Sequence, residues 1–301
     1  MSPPDLDKLR LSGRISAVTR EHCRKMIRVG ARIEDIARAA EAMILELGGK
    51  PAFPAQISRN HIAAHYCSPP GDPTTIEAGD IVKLDLGTQV DGYVTDSAVT
   101  VDLAAGEQSA LVAASQTALE NAIALMGPGA SLTEIGGRIE DTIKAFGFNP
   151  VFNLTGHGVA RYVIHCQPTV PNYRDRGAGR LRANQTIACE PFACDGAGYI
   201  ESKGKAEVFG LKRRIKPKDR IPERIVAAVE ASEGLPFARR TLLAKLGSLR
   251  EVEEALAVLR RSGLLIEYPP LVEKPGVRVA QTEHTIFIHD HGAEVLTRAP
   301  A

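Results

Sequence analysis

Residues 81–101, IVKLDLGTQVDGYVTDSAVTV, form the segment from which the fold can best be inferred. Apolar and β-branched residues on both sides of Asp91-Gly92 predict two antiparallel strands joined as a hairpin. Aspartate is disfavoured inside strands, so Asp85 in one strand and Asp96 in the other require a reason. If residues 89–92 form a four-residue loop, the two aspartates are predicted to lie directly opposite each other on one face.

Directly opposed residues on one face of a hairpin have Cβ atoms about 4.5–5.5 Å apart. Two carboxylates at that distance repel each other unless a proton or a cation lies between them. Asp85 and Asp96 are therefore interpreted as candidate cation ligands. The alternative is a pair of exposed aspartates at the edge of a turn.

Two further carboxylates and one imidazole lie in similarly apolar, strand-like segments. Glu190 is embedded in TIACEPFA, Glu283 in VRVAQTEHTIFI, and His157 in NLTGHGVARYVIH. Four carboxylates and a neutral imidazole balance the charge of two divalent cations. An oxygen-rich set of this kind suits Mn, Fe(II) or Co better than a structural zinc site.

Two cations about 3.5–4 Å apart could bind one water and make it nucleophilic near neutral pH, and could stabilise an oxyanion. This is the chemistry of metal-assisted amide hydrolysis. The sequence contains no HExxH, GxSxG or Walker A motif that would indicate other chemistry. Two more histidines, His65 and His165, are either buried side chains bonded to backbone or groups that donate to a scissile carbonyl.

The order of elements is helices then strands, repeated once. It predicts an α+β fold with two halves of roughly 100 residues joined near 103–107. A basic stretch and three predicted helices, followed by a short strand, interrupt the second half and resemble a winged-helix unit. The predicted division is a catalytic part over 1–210 and 273–301 and an insertion over 211–272. The helices of the insertion are predicted over 221–233, 236–246 and 248–262.

The composition is that of an ordinary globular protein. Of 301 residues, 44% are apolar and 24% charged, and the formal net charge is +1, which gives no strong nucleic-acid signal. There is neither an apolar run of membrane-spanning length nor an apolar leader. Five cysteines without paired spacing predict free thiols and a cytoplasmic protein.

Four segments together resemble the methionine aminopeptidases: DLGTQVDGYVTDSAVTV, NLTGHGVARYVIH, IACEPFA and AQTEHTIFI. The resemblance covers residues 5–298 and implies the pita-bread fold of two pseudo-symmetric α+β halves. The long segment between Glu190 and Glu283 is similar to the helical insertion of the type II enzymes. Because no long basic extension precedes the fold, the chain resembles the short archaeal form.

The resemblance also implies roles for individual residues. Asp85 would hold the second metal, Asp96 and Glu283 would bridge both metals, and His157 and Glu190 would complete the first. The implied catalytic residues are His65, His165 and Glu190, and the implied cofactors are two divalent ions of Co, Mn, Fe(II) or Zn.

The implied substrate-binding residues are His65, His165, Phe53, Ile164 and Tyr268. Two departures concern this pocket: Thr282 stands where the family usually has Phe, and residues 199–210 are more charged than the family pattern.

The implied activity is removal of the initiator methionine from nascent polypeptides whose second residue is small. The attacking species would be a hydroxide held by the dinuclear centre. We expect a monomer whose partners are the N-termini of nascent chains, with the ribosome as a further partner that the sequence leaves open. Two alternatives remain: a non-catalytic relative that binds protein or RNA, and a proline-directed aminopeptidase of the same fold.

Overall fold

A computed structural model describes residues 2–299, and it alternates helices with antiparallel strands as predicted for an α+β fold. Met1 and residues 300–301, at the two ends of the predicted catalytic part, lie outside the described residues. The helices are α1 (Pro3–Met26), α2 (Ile33–Glu46), α3 (Ser109–Ile123), α4 (Leu132–Ala145), α5 (Glu223–Glu230), α6 (Arg239–Leu246) and α7 (Leu249–Arg261), with a 3-10 turn at Pro217–Asp219.

The strands are short except in the two large sheets. They are β1 (Lys50–Arg59), β2 (Ile62–Ala64), β3 (Ile81–Val90), β4 (Tyr93–Asp102), β5 (Asn149–Pro150), β6 (Thr155–Ala160), β7 (Val163–Pro171), β8 (Gln185–Cys189), β9 (Phe192–Cys194), β10 (Glu201–Ser202), β11 (Val208–Leu211), β12 (Phe237–Ala238), β13 (Leu265–Tyr268), β14 (Leu271–Val272), β15 (Val279–Gln281), β16 (His284–His289) and β17 (Gly292–Val295).

Each half packs two helices against a sheet. In the first half, α1 and α2 lie on the sheet β1-β3-β4, and α2 buries the apolar residues that recur along one of its faces. In the second half, α3 and α4 pack against the sheet β17-β16-β8-β6-β7 and the smaller sheet β15-β9-β5. Helix α4 begins after Ser131, whose Oγ accepts the backbone N–H of Glu134 at 3.4 Å.

The two halves meet along β4. Its residue Ala98 exchanges backbone hydrogen bonds with Glu283, at 3.1 and 3.4 Å, in the segment between β15 and β16. Thr285 Oγ1 accepts the N–H of Asp96 at 2.7 Å and donates to its carbonyl at 2.8 Å. This seam, defined by β4 and residues 281–285, therefore places an aspartate of one half beside a glutamate of the other.

The β3–β4 hairpin corrects one prediction. Val90 pairs with Tyr93, so the loop has two residues instead of four, and Asp85 pairs with Ala98 rather than with Asp96. Asp91 and Gly92 both have positive φ, 50° and 84°, as the tight turn favoured by Asp-Gly requires. Because the register differs by two residues, the two aspartates lie diagonally but still on one face.

The segment between β10 and β14 forms a small sheet, β12-β11-β13, covered by α5, α6 and α7. Helix α7 starts after Ser248, whose Oγ accepts the N–H of Glu251 at 3.3 Å. The helix expected from residue 236 begins only at Arg239, because Phe237 and Ala238 pair with β11 as a strand. The division at residues 211 and 272 stays a prediction.

Among residues 2–299, no helix is long and apolar enough to cross a membrane. The five cysteines are all free thiols, as expected from their spacing.

Candidate metal centre

Three carboxylates lie close together at the seam. Asp85 comes from β3, Asp96 from β4, and Glu283 from the segment that pairs with β4. Asp96 and Glu283 are buried, with side-chain positions fixed by the backbone hydrogen bonds of the seam. The sheet register, rather than any loop, therefore sets the arrangement of these oxygens.

An imidazole and a fourth carboxylate face them from the second half. His157 lies on β6 and Glu190 follows β8, and these two strands are neighbours in the sheet. His157 Nε2 lies 3.6 Å from Glu190 Oε1 and 3.8 Å from Asp96 Oδ2. Ligand atoms of Asp96, His157 and Glu283 all lie within 4.8 Å of one another, a spacing at which they could hold one metal ion.

Burial makes the carboxylate cluster unstable as a set of bare charges. Desolvation raises the pKa of Asp85 to about 7. It also raises the pKa values of three other acids well above the usual range, and neighbouring carboxylates add to these shifts: Asp96, Glu190 and Glu283. Within residues 2–299, the buried atoms Asp85 Oδ1, Asp96 Oδ1 and Glu283 Oε1 have no hydrogen-bond partner. Buried carboxylate oxygens that receive no hydrogen bond, next to a neutral imidazole, form a donor set suited to divalent cations.

Gln281 is a member of the site that the sequence reasoning missed. Its Nε2 donates to Glu190 Oε2 at 3.2 Å and to Asp85 Oδ2 at 3.5 Å, so it orients two of the carboxylates. The available signal was its position two residues before Glu283, which in an extended chain puts both side chains on one face.

One cavity of about 230 Å³ contains the whole predicted set. The predicted site residues that line it are Phe53, His65, Asp85, Asp96, His157, Ile164, His165, Glu190, Tyr268 and Glu283. Val208, on β11, and Leu271, on β14, also line it and were not predicted. The cavity thus has a charged floor and a largely apolar wall.

The two other histidines lie beside the charged floor. The His165 ring centre is 4.3 Å from that of His157. His65 adopts a left-handed backbone conformation, φ 66°, and donates its backbone N–H to Gln56 Oε1 at 2.8 Å. Burial, with a smaller effect of His165, lowers the pKa of His65 to about 4, so its imidazole is neutral at neutral pH.

Thr282 points away from this cavity. Its Oγ1 shares a hydrogen bond of 2.9 Å with Ser115 Oγ on α3, because Gln281 and Glu283 occupy the face that looks into the site. Thr282, which departs from the family pattern, is therefore not part of the cavity wall.

The clustered carboxylates predict an unusual pH dependence of stability. An acid whose pKa is higher in the folded protein than in the unfolded chain binds more protons in the folded state. Its contribution to stability is therefore present at low pH and is lost as the pH rises through the pKa of the folded state. For Asp85 this window runs from its usual 3.8 to about 7. We expect the free energy of unfolding of chelator-treated protein to fall from pH 5 to 8, measured by urea titration.

Asp85→Asn removes one of these acids and serves as the comparison. Its free energy of unfolding should fall less steeply over the same pH range. Equal slopes in both proteins would show that the Asp85 carboxyl is not perturbed by burial.

A buried set of carboxylates and one imidazole, carried on two α+β halves, defines a metallopeptidase. The family model described as metallopeptidase family M24 matches residues 7–290. Methionine aminopeptidase of Archaeoglobus fulgidus is 39% identical over 293 residues, 97% of this chain and 98% of that protein, and methionine aminopeptidase of Thermococcus onnurineus is 40% identical over 288 residues, 95% and 97%. The chain belongs to metallopeptidase family M24, among the methionine aminopeptidases.

Solved structures agree with this family assignment. The crystal structure of methionine aminopeptidase from Thermotoga maritima superposes with a TM-score of 0.71 at 25% identity, covering 99% of this chain and 98% of that one. A thermophilic Arx1, at 20% identity, has a TM-score of 0.85 over all of this chain and 92% of that one, and shows the fold alone. The pita-bread fold and the enzyme class expected from the sequence are thereby confirmed.

Proposed function

We propose that this enzyme removes the initiator methionine from nascent polypeptides whose second residue is small. Two divalent cations would be held by Asp85, Asp96, His157, Glu190 and Glu283. The observation that carries the proposal is that all five donors line one cavity, beside an apolar wall, and that three of their buried carboxylate oxygens lack hydrogen-bond partners.

When bound, the cations would supply Lewis acidity toward the scissile carbonyl and would activate a water molecule. Glu190, which accepts a hydrogen bond from Gln281 Nε2 at 3.2 Å, would take the proton of the attacking water and return it to the leaving amine. His65 would be neutral, and we assign it the role of donating a hydrogen bond to the oxyanion. His165, beside His157, would contact the peptide on the leaving side.

The apolar wall would take the methionine side chain. Phe53, Ile164 and Tyr268 face the cavity, and an unbranched thioether gains about 1.5–3 kcal/mol from such burial. A charged or strongly polar first residue would lose its hydration there without compensation.

The proposed partners are the N-termini of chains under synthesis, reached in the cytoplasm, with the ribosome as a candidate docking surface. The free thiols are compatible with a reducing compartment.

Methionine release from a Met-Ala-Ser peptide tests this function. Chelator-stripped protein should release no methionine, and addition of Mn or Co should restore release together with two bound ions per chain. Leu-Ala-Ser and Met-Leu-Ser should be much poorer substrates, since one alters the first side chain and the other the second.

An Ala-Pro-Ser peptide separates the alternatives. Faster cleavage of this peptide would indicate a proline-directed enzyme. A folded protein that cleaves none of the peptides with any metal would support a non-catalytic binding role.

A further inference from the structure

Arg240 is a buried guanidinium at the start of α6 that reaches out of the insertion into the first half of the chain. It is 6% exposed. It donates to Cys67 Sγ at 2.6 Å, to the carbonyl oxygens of Ala55 at 3.2 Å and Ser68 at 3.3 Å, and to the carboxylate of Glu41. A planar group with five donors can satisfy this many acceptors at fixed angles, which a lysine ammonium cannot.

The acceptors of Arg240 lie on two segments next to His65, β1 and the residues that follow His65, and on α2. Ala55 directly precedes Gln56, whose side chain accepts the N–H of His65, and Cys67 and Ser68 follow His65 along the chain. Glu41, the charged partner of Arg240, also accepts the N–H of Ala55 at 3.0 Å. Arg240 and Glu41 therefore hold together the residues that follow His65 and the part of β1 that accepts its N–H.

His65 needs such support because its backbone is strained. A histidine at φ 66° occupies the left-handed region, which a residue with a side chain keeps only when its surroundings fix it. Tyr268, at the end of β13, contacts the His65 ring edge-on, with the two ring centres 5.9 Å apart. The Tyr268 side chain also packs with Cys67. The insertion thus contacts His65 directly through Tyr268. Through Arg240 it contacts the segments next to this histidine.

We propose that Arg240 is a positioning residue for His65: the insertion uses it to fix the imidazole at the cavity wall. The inference rests on the proposed function, in which His65 donates to the reacting carbonyl. It assigns the insertion a part in the geometry of the reaction, beyond its contribution to the wall of the pocket.

Arg240→Lys keeps the charge and removes the fork of donors. We expect kcat for Met-Ala-Ser to fall by about tenfold or more, since a small displacement of a catalytic group has effects of that size. The number of bound metal ions should not change. In a His65→Ala background the same substitution should alter kcat by less than about twofold, because the residue through which it acts is already gone.

Glu233→Gln is the matched control. Glu233 also joins the insertion to the first half, through Lys50 Nζ and Gln89 Nε2 at 3.0 Å each, but these contacts do not involve the His65 segment. This variant should keep the kcat of the unmodified enzyme. If Arg240→Lys does not fold, Glu41→Gln weakens the same cluster and should show the same pattern at smaller size.

Amide hydrogen exchange over residues 53–68 gives a readout that does not depend on activity. Exchange should be faster in Arg240→Lys and unchanged in Glu233→Gln. The proposal is overturned if exchange in this segment is unchanged, or if kcat falls by the same factor with and without His65. Failure of the proposed function would instead appear in the unmodified protein, as absence of methionine release.

Discussion

Asp96→Asn is expected to reduce methionine release by on the order of 10³-fold or more while the protein stays folded. Asp96 is buried at the seam, and its carboxylate is one of the three groups whose ligand atoms lie within 4.8 Å of one another. Asparagine has the same shape but lacks the charge and one of the two ligand oxygens. The seam itself is maintained by backbone groups, which this substitution does not alter.

The measurement is kcat/KM for Met-Ala-Ser together with metal content after dialysis. We expect the variant to retain fewer than two ions per chain. The melting temperature of the metal-free variant should be equal to or above that of the unmodified protein, because one of four mutually repelling carboxyls has been neutralised.

Asp91→Asn supplies the same chemical change in the same hairpin. The Asp91 side chain is 61% exposed and pairs with Lys8 at 2.8 Å on the surface, so activity should stay within about twofold. Full activity of Asp96→Asn would rule out the dinuclear assignment, whatever the control shows.

His65→Ala is expected to lower kcat by about 10²–10³-fold, the range observed when one hydrogen-bond donor to an oxyanion is removed. Two metal ions should still be bound, since the proposed ligands do not include His65. His61→Ala, in the same β1–β2 region, should have little effect because the His61 side chain is not among those that line the described cavity.

The pH profile adds a second readout for His65. Because the pKa of His65 is lowered to about 4, the imidazole is neutral throughout the range above pH 5. Removing it should therefore lower the profile above pH 5 without changing its shape. Loss of bound metal in His65→Ala would instead identify this histidine as a ligand.

The sequence was sufficient to predict the elements that carry the site. Strand-like segments with embedded carboxylates placed Asp85 and Asp96 on one hairpin face, and the helix predicted over 248–262 is α7. These features are local, so a pattern over a few residues determines them.

Two features of the site were not predicted, one of them local and the other dependent on contacts between distant segments. The register of the hairpin was wrong by two residues, because Asp-Gly forms a two-residue turn in preference to the longer loop. Gln281 contacts Glu190 and Asp85 only because the two halves pack together, and the sequence alone does not reveal that packing. The roles of the site residues and the bounds of the insertion stay predictions.

The seam has a consequence for how the enzyme matures. Asp96 and Glu283 are brought together by pairing between segments that are far apart in the chain, a kind of contact that slows folding. A newly made chain therefore cannot present the complete set of donors until its second half has docked on the first. Cation binding by the five proposed ligands would then be coupled to folding, and a partly folded chain would lack the complete centre.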